Sequence, residues 1–177
     1  MMLRLTPVLL LAGSLPEISL GQNVDEYRLK AAFVFNFTKF VEWPASAFKS
    51  PADPISICVY GRSPVNDALE QAVQRKTVQD RPLVTRSISG LAQTAGCHLI
   101  FVPASEHKQM RAIIEGVAGH TVLLAGESDW FLKEGGDFNL RIESGSVHIQ
   151  VNPDAVERQG LHVSSKLLSL AEIVRCN

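Results

Sequence analysis

The sequence predicts an α/β fold: a mainly parallel sheet with helices on both faces and a C-terminal antiparallel β-hairpin. The first observation behind it is a set of three short runs, residues 55–60, 98–102 and 121–125, apolar at both parities apart from single polar residues such as Ser56. Strands covered on both faces read this way. The second is what lies between them. Residues 64–74 carry Val65, Leu69, Ala72 and Val73 at helical spacing, and residues 106–117 carry Met110, Ile113, Ile114 and Val117. A succession of strand, helix and strand implies right-handed crossovers between parallel strands. The third is a change of period late in the chain. Phe138, Leu140 and Ile142, then Val147, Ile149 and Val151, alternate with other residues around a turn at 143–145, the mark of a hairpin with one buried face.

Taken in order, the chain opens with Arg4, a short apolar run and small residues up to Gly21, the three parts of a secretory signal peptide over residues 1–21. The run falls short of the about 20 apolar residues that a bilayer span needs. Pro16 and Glu17 suit a cleaved segment better than the buried strand or helix that is the alternative. Residues 22–177 then form one domain. Residues 25–41 read as a helix whose wheel gathers Leu29, Ala32, Phe33, Phe37, Phe40 and Val41 on a stripe expected to enter the core. Phe35 falls outside that stripe, among Arg28, Lys39 and Glu42, and is expected at the surface, either as a contact for a second copy of the chain or as an ordinary exposed aromatic. Trp43 and Pro44 close the helix.

Gly61, Arg62, Ser63 and Pro64 lead from the first long strand into the next helix. Ser63 as cap and Pro64 as first helical residue account for this pattern without a bound anion. Residues 83–88, holding Thr85, Arg86 and Ser87, make a weaker strand at or near an edge. Beyond the hairpin, residues 153–159 and 165–174 read as two short helices with Gly160 as the stop between them.

At 177 residues, 46% hydrophobic and 20% charged, the chain has the composition of one globular domain. Its 17 Lys and Arg balance 18 Asp and Glu, which disfavours a nucleic-acid binder, since neutralising phosphates needs a positive face. The histidines, His98, His107, His120, His148 and His162, show no metal-ligand spacing, so no metal or cofactor is expected and His98 is read as a satisfied buried residue. Glu127, Asp129, Glu134 and Asp137 surround Gly135 and Gly136 and read as solvated carboxylates. Trp130 and Phe131 in the same stretch suit a recognition surface, or side chains folded back over the core. Of the three cysteines, Cys58 and Cys97 sit at strand-like positions and are the better pair for one disulfide, the alternative being two buried thiols; Cys176 is read as lying in a frayed end.

The residues from Lys30 to Phe33, Asn36-Phe37, and Lys39 through Trp43-Pro44, then Cys58-Val59-Tyr60-Gly61 and Cys97-His98-Leu99-Ile100-Phe101, resemble the YfiR family. The resemblance continues through Phe131 to Gly136 followed by Phe138, Val151-Asn152, and Gly160-Leu161 leading to Ser165-Lys166-Leu167-Leu168. It implies a small exported periplasmic protein that acts by binding and is not an enzyme: a repressor of an inner-membrane diguanylate cyclase that binds the cyclase's periplasmic region, lowers cyclic di-GMP synthesis and is released by an outer-membrane lipoprotein. It also implies a homodimer and redox-responsive cysteines, with Cys58 and Cys97 matching the family's pair. Leu132 and Asn139 stand in the region where some members carry a second cysteine pair. The expected partner surface is Trp130, Phe131, Gly135, Gly136 and Phe138, with Phe35 as the dimer contact. The alternative function is a periplasmic small-molecule sensor subunit whose pocket lies at the carboxyl ends of the parallel strands.

Overall fold

The computed structural model describes residues 20–143 and 146–176, with backbone alone for residues 20–24. The predicted signal peptide up to residue 19 and the turn positions 144 and 145 lie outside the described residues. A helix, α1 (Leu20–Phe40), runs into a two-residue strand, β1 (Val41–Glu42). There follow β2 (Ile55–Tyr60), α2 (Val65–Val73), β3 (Thr77–Val78), β4 (Arg81–Ile88), β5 (Leu99–Val102), α3 (Met110–Val117) and β6 (Leu123–Gly126). The chain ends with the hairpin β7 (Phe138–Glu143) and β8 (Ser146–Val151), then α4 (Pro153–Arg158), β9 (His162–Val163), α5 (Ser165–Leu168) and β10 (Glu172–Ile173).

The described residues form a sheet in the order β10-β8-β7-β6-β5-β2-β4-β3. Its centre, from β4 through β7, is parallel, and β7 and β8 pair antiparallel with Phe138 opposite Val151. β1 and β9 make a separate antiparallel pair. Every residue of β2, β5 and β6 is buried, the reason these strands read as apolar at both parities. One face of the sheet packs Phe37, Ile57, Phe101 and Phe138 with α1 and α2, and the other packs Cys58, Ile100, Leu124 and Phe131 with α3.

The structure turns α1 away from the expected stripe. Ala31, Val34, Phe35, Phe37, Thr38 and Val41 are buried, whereas Leu29 is exposed and Ala32, Phe33 and Phe40 are half-buried. Phe35, expected at the surface, is 6% exposed. The ammonium groups of Lys39 and Lys76 stand 4.2 and 4.6 Å from its ring centroid. Charged neighbours on a helix therefore did not mean solvent here, because lysine stems roof an aromatic while their heads stay wet. In this fold Phe35 offers no surface to a second copy.

The chain end also departs from expectation. The helix read over 165–174 stops at Leu168, and β10 adds parallel to β8, with Val174 N–H donating to Val151 O at 2.8 Å. This carries Val174 and Cys176 onto the α3-side core, so Cys176 is half-buried rather than frayed.

Between β3 and β4, Val78 pairs with Arg81 across a two-residue turn in which Gln79 and Asp80 both have positive φ, 52° and 61°. This is the geometry that favours glycine. Asp80→Gly is expected to raise stability by about 0.5 kcal/mol, read as a higher midpoint in urea; an unchanged or lower midpoint contradicts it.

His98 is buried as expected. Its Nδ1 accepts the Ser56 N–H at 3.1 Å, its Nε2 donates to Ala47 O at 3.1 Å, and its ring stacks on Phe48 with centroids 4.5 Å apart. Burial holds its imidazole below the ordinary value. The unfolded chain therefore takes up a proton that the folded chain refuses, so the contribution of His98 to stability falls as pH drops through about 6.5. The difference in unfolding free energy between wild type and His98→Gln, measured at several pH values between 5 and 8, checks this, since Asp137 acts alike in both; the wild type's advantage should shrink as pH drops.

Candidate partner-binding site

The loop from β6 to β7 is built around one buried ring. Phe131 is 0% exposed and lies against Gly126 and Gly136, where a Cβ at either position would collide with the ring. Close approach, not a turn, is what these two glycines supply. Phe131 O accepts the Gly136 N–H, and Phe131 N–H donates to Ser128 O, each at 3.0 Å. With Phe131 and Leu132 pointing into the core, Trp130 is turned outward. It is 63% exposed, with the Lys133 ammonium 4.6 Å from its ring centroid.

Of the residues expected to form the partner surface, only Trp130 and the half-buried Gly135 reach solvent. Phe131, Gly136 and Phe138 are corrected to the interior: Phe138 meets Phe37 edge to face with centroids 4.8 Å apart. Their alternation and Gly-Gly spacing look the same for a recognition loop and for a core plug, and burial decides for the plug.

A charged recess of about 270 Å³, lined in part by Glu26, Lys30, Glu127, Asp129, Arg141 and Glu143, includes Asp129, the residue before Trp130. Lys30 Nζ sits 2.7 Å from Glu127 and also pairs with Glu26, while Glu127 Oε1 accepts the Ala104 N–H at 2.9 Å. These carboxylates hold the Lys30 ammonium more firmly charged than usual, although burial opposes them. Arg141 pairs with Glu143 and lies 3.6 Å from Asp129. Glu134 pairs with Arg111 at 2.8 Å. The acidic residues are thus distributed among separate cations.

Asp137, read as solvated, is instead fully buried. Its Oδ2 accepts the Leu124 N–H at 2.7 Å, and burial pushes its carboxyl up to about 7 against the pull of that bond and of Arg158. Asn139 and Asn152, on the same face of the β7–β8 ladder, are buried with it. A hairpin with one polar face would have left all three wet.

Cys58 and Cys97 form a disulfide with Cα atoms 5.9 Å apart, tying β2 to the segment entering β5. At the carboxyl ends of β2 and β5 the Glu106 side chain lies against Gly61 and the Tyr60 hydroxyl donates to Gln109 Oε1 at 3.1 Å. A larger open groove, about 800 Å³, runs instead along β4 and the start of α2, lined in part by Arg62, Ser63, Asn66 and Thr85. There Ser63 Oγ accepts the Val65 N–H and Ser63 N–H donates to Asn66 Oδ1, so the helix start is capped from within.

A family model described as YfiR/HmsC-like matches residues 27–172. The fold is similar to the crystal structure of a conserved domain protein from Vibrio cholerae O1 biovar eltor, at a TM-score of 0.50 and 11% identity, over 67% of this chain and 54% of that one. The chain thus spans about half the length of that structure.

Proposed function

The chain belongs to the YfiR/HmsC-like family, and from that premise we propose that it represses an inner-membrane diguanylate cyclase by binding the cyclase's periplasmic region. Membership supports the general class, a periplasmic regulator of cyclic di-GMP signalling that is not catalytic, and the buried disulfide suits an oxidising compartment. The observation that carries the binding role is Trp130. A large aromatic held outward between a buried neighbour and a charged residue, with Lys133 over its ring, is how interface anchors are arranged. Repression follows if the protein binds the inactive form of the cyclase better than the active one, because only differential affinity shifts such an equilibrium. Release by an outer-membrane lipoprotein competing for the protein belongs to the same reading, as does a dimer whose contact lies elsewhere than Phe35. The test is recovery of bound proteins from detergent-solubilised membranes with the tagged mature chain. A diguanylate cyclase among them is the expected result, and recovery of no membrane protein overturns the proposal.

A further inference from the structure

Residues 45–54, between β1 and β2, are held at the amino ends of the parallel strands by two side chains. Arg81, the first residue of β4, donates from Nη1 to Ser50 O at 3.0 Å and to Asp53 O at 2.9 Å, and its guanidinium carbon stands 3.6 Å from the Phe48 ring centroid. His98, just before β5, stacks on the same ring with centroids 4.5 Å apart and reaches Ala47 O from Nε2 at 3.1 Å. At these distances the guanidinium and the imidazole cannot share one face of the ring, so Phe48 is clamped between them.

Only one of the two clamping groups can lose or gain charge near neutral pH, since a guanidinium stays protonated. His98 has no place for a second proton. Ala47 O can only accept, so Nε2 already carries the hydrogen, and Nδ1 accepts the Ser56 N–H at 3.1 Å. The His98 backbone is fixed on both sides: its N–H donates to Ser56 O at 2.8 Å, and its O accepts the Leu123 N–H at 2.9 Å and the Trp43 Nε1–H at 3.2 Å. A proton on Nδ1 sets two donors face to face across a backbone that cannot part. The ring has to turn, and turning releases Ala47 and Phe48.

We propose that His98 is an acid-released clasp on residues 45–54: protonation of Nδ1 breaks the bond from Ser56, swings the ring out of the stack and frees the loop while the sheet stays folded. The closed form binds this proton more weakly than the open form, so falling pH favours opening. Burial is the main force that keeps the closed ring neutral; among the charged groups around it, Arg81 of β4 adds to this and Asp53 of the loop opposes it. The contacts from β2, β6 and the residue after β1 are Ser56, Leu123 and Trp43, none of them charged. Asp53 does not act as the trigger, because the Ser50 hydroxyl and the Lys49 N–H hold its carboxyl below the usual carboxylate range. The inference does not rest on the functional reading above, whose anchor is on the β6–β7 loop.

The experiment follows the His98 ring by NMR and the amide protection of residues 47–50 by hydrogen exchange as pH is lowered from about 7.5 to about 4.5, with exchange corrected for its intrinsic dependence on pH. Protection of the loop is expected to fall by about tenfold or more in step with the His98 midpoint, while β5 and β6 keep theirs. His98→Gln, which cannot titrate, should hold loop protection constant over the range. Asp137→Asn, which removes a second group that titrates near about 7, should leave the response in place. Phe48→Ala, at a half-buried position, should raise the His98 midpoint, because a ring without its stack is easier to hydrate and protonate. Loop protection that ignores the His98 titration, that falls equally in His98→Gln, that stops responding in Asp137→Asn, or that is lost only when the whole sheet opens overturns the clasp, as does a His98 midpoint unmoved by Phe48→Ala.

Discussion

Replacing Cys58 and Cys97 together by alanine is expected to lower stability by about 4 kcal/mol, the chain-entropy value for a closed loop of this length. The two cysteines are 39 residues apart in sequence. The reduced unfolded chain regains the freedom that the bridge denies it, while the folded chain keeps its β2 and β5 pairing through backbone hydrogen bonds. For a chain of this size the melting temperature should fall by about 10 °C. Thermal unfolding of the variant, and of the wild type with and without reductant, is the check. The reduced wild type should melt close to the variant, and a loss below about 1 kcal/mol would show that the bridge constrains little. A protein so dependent on one disulfide keeps its full stability only where thiols are oxidised.

Phe131→Ala is expected to destabilise by about 3–5 kcal/mol, the usual cost of deleting a fully buried aromatic and leaving a void. The ring is what Gly126 and Gly136 were left bare to admit, so its loss removes the support under Trp130 as well as core volume. Gly136→Ala alone should also destabilise, because its methyl group meets the ring. In the Phe131→Ala background the same substitution should cost much less, since the space is vacant, and the double-mutant cycle should show a coupling of about 1 kcal/mol or more. Denaturant melts measure all four proteins. Additive losses would mean that the ring and the Gly136 methyl do not share this space. Amide exchange over residues 127–136 should quicken in Phe131→Ala before the rest of the sheet opens.

The parallel centre was legible in the sequence because a strand buried on both faces has no polar parity to disguise it. The crossover helices were legible from their spacing. The errors arose where covering comes from far along the chain. Phe35 was misplaced because the roof over it includes Lys76, beyond α2, which no wheel of α1 contains. Asp137 was misread because nothing in its acidic, glycine-rich surroundings signals burial, and the closing strand β10 was missed because two residues have no period to detect. At the candidate site Phe131 and Gly136 meet, whereas Phe138 packs on the opposite face of the sheet. Which aromatic faces outward depends on the glycines that accept Phe131, and that is a matter of packing rather than of pattern.

The most direct test of the central claim, that the outward tryptophan anchors a membrane partner, is the affinity of the purified protein for the periplasmic region of the cyclase it captures, measured for wild type and for Trp130→Ala. Trp130 is solvent-exposed, so the variant should fold and melt like the wild type. Binding is expected to weaken by about 30-fold, the effect of losing a central aromatic anchor. Equal affinity of the two proteins would contradict the account.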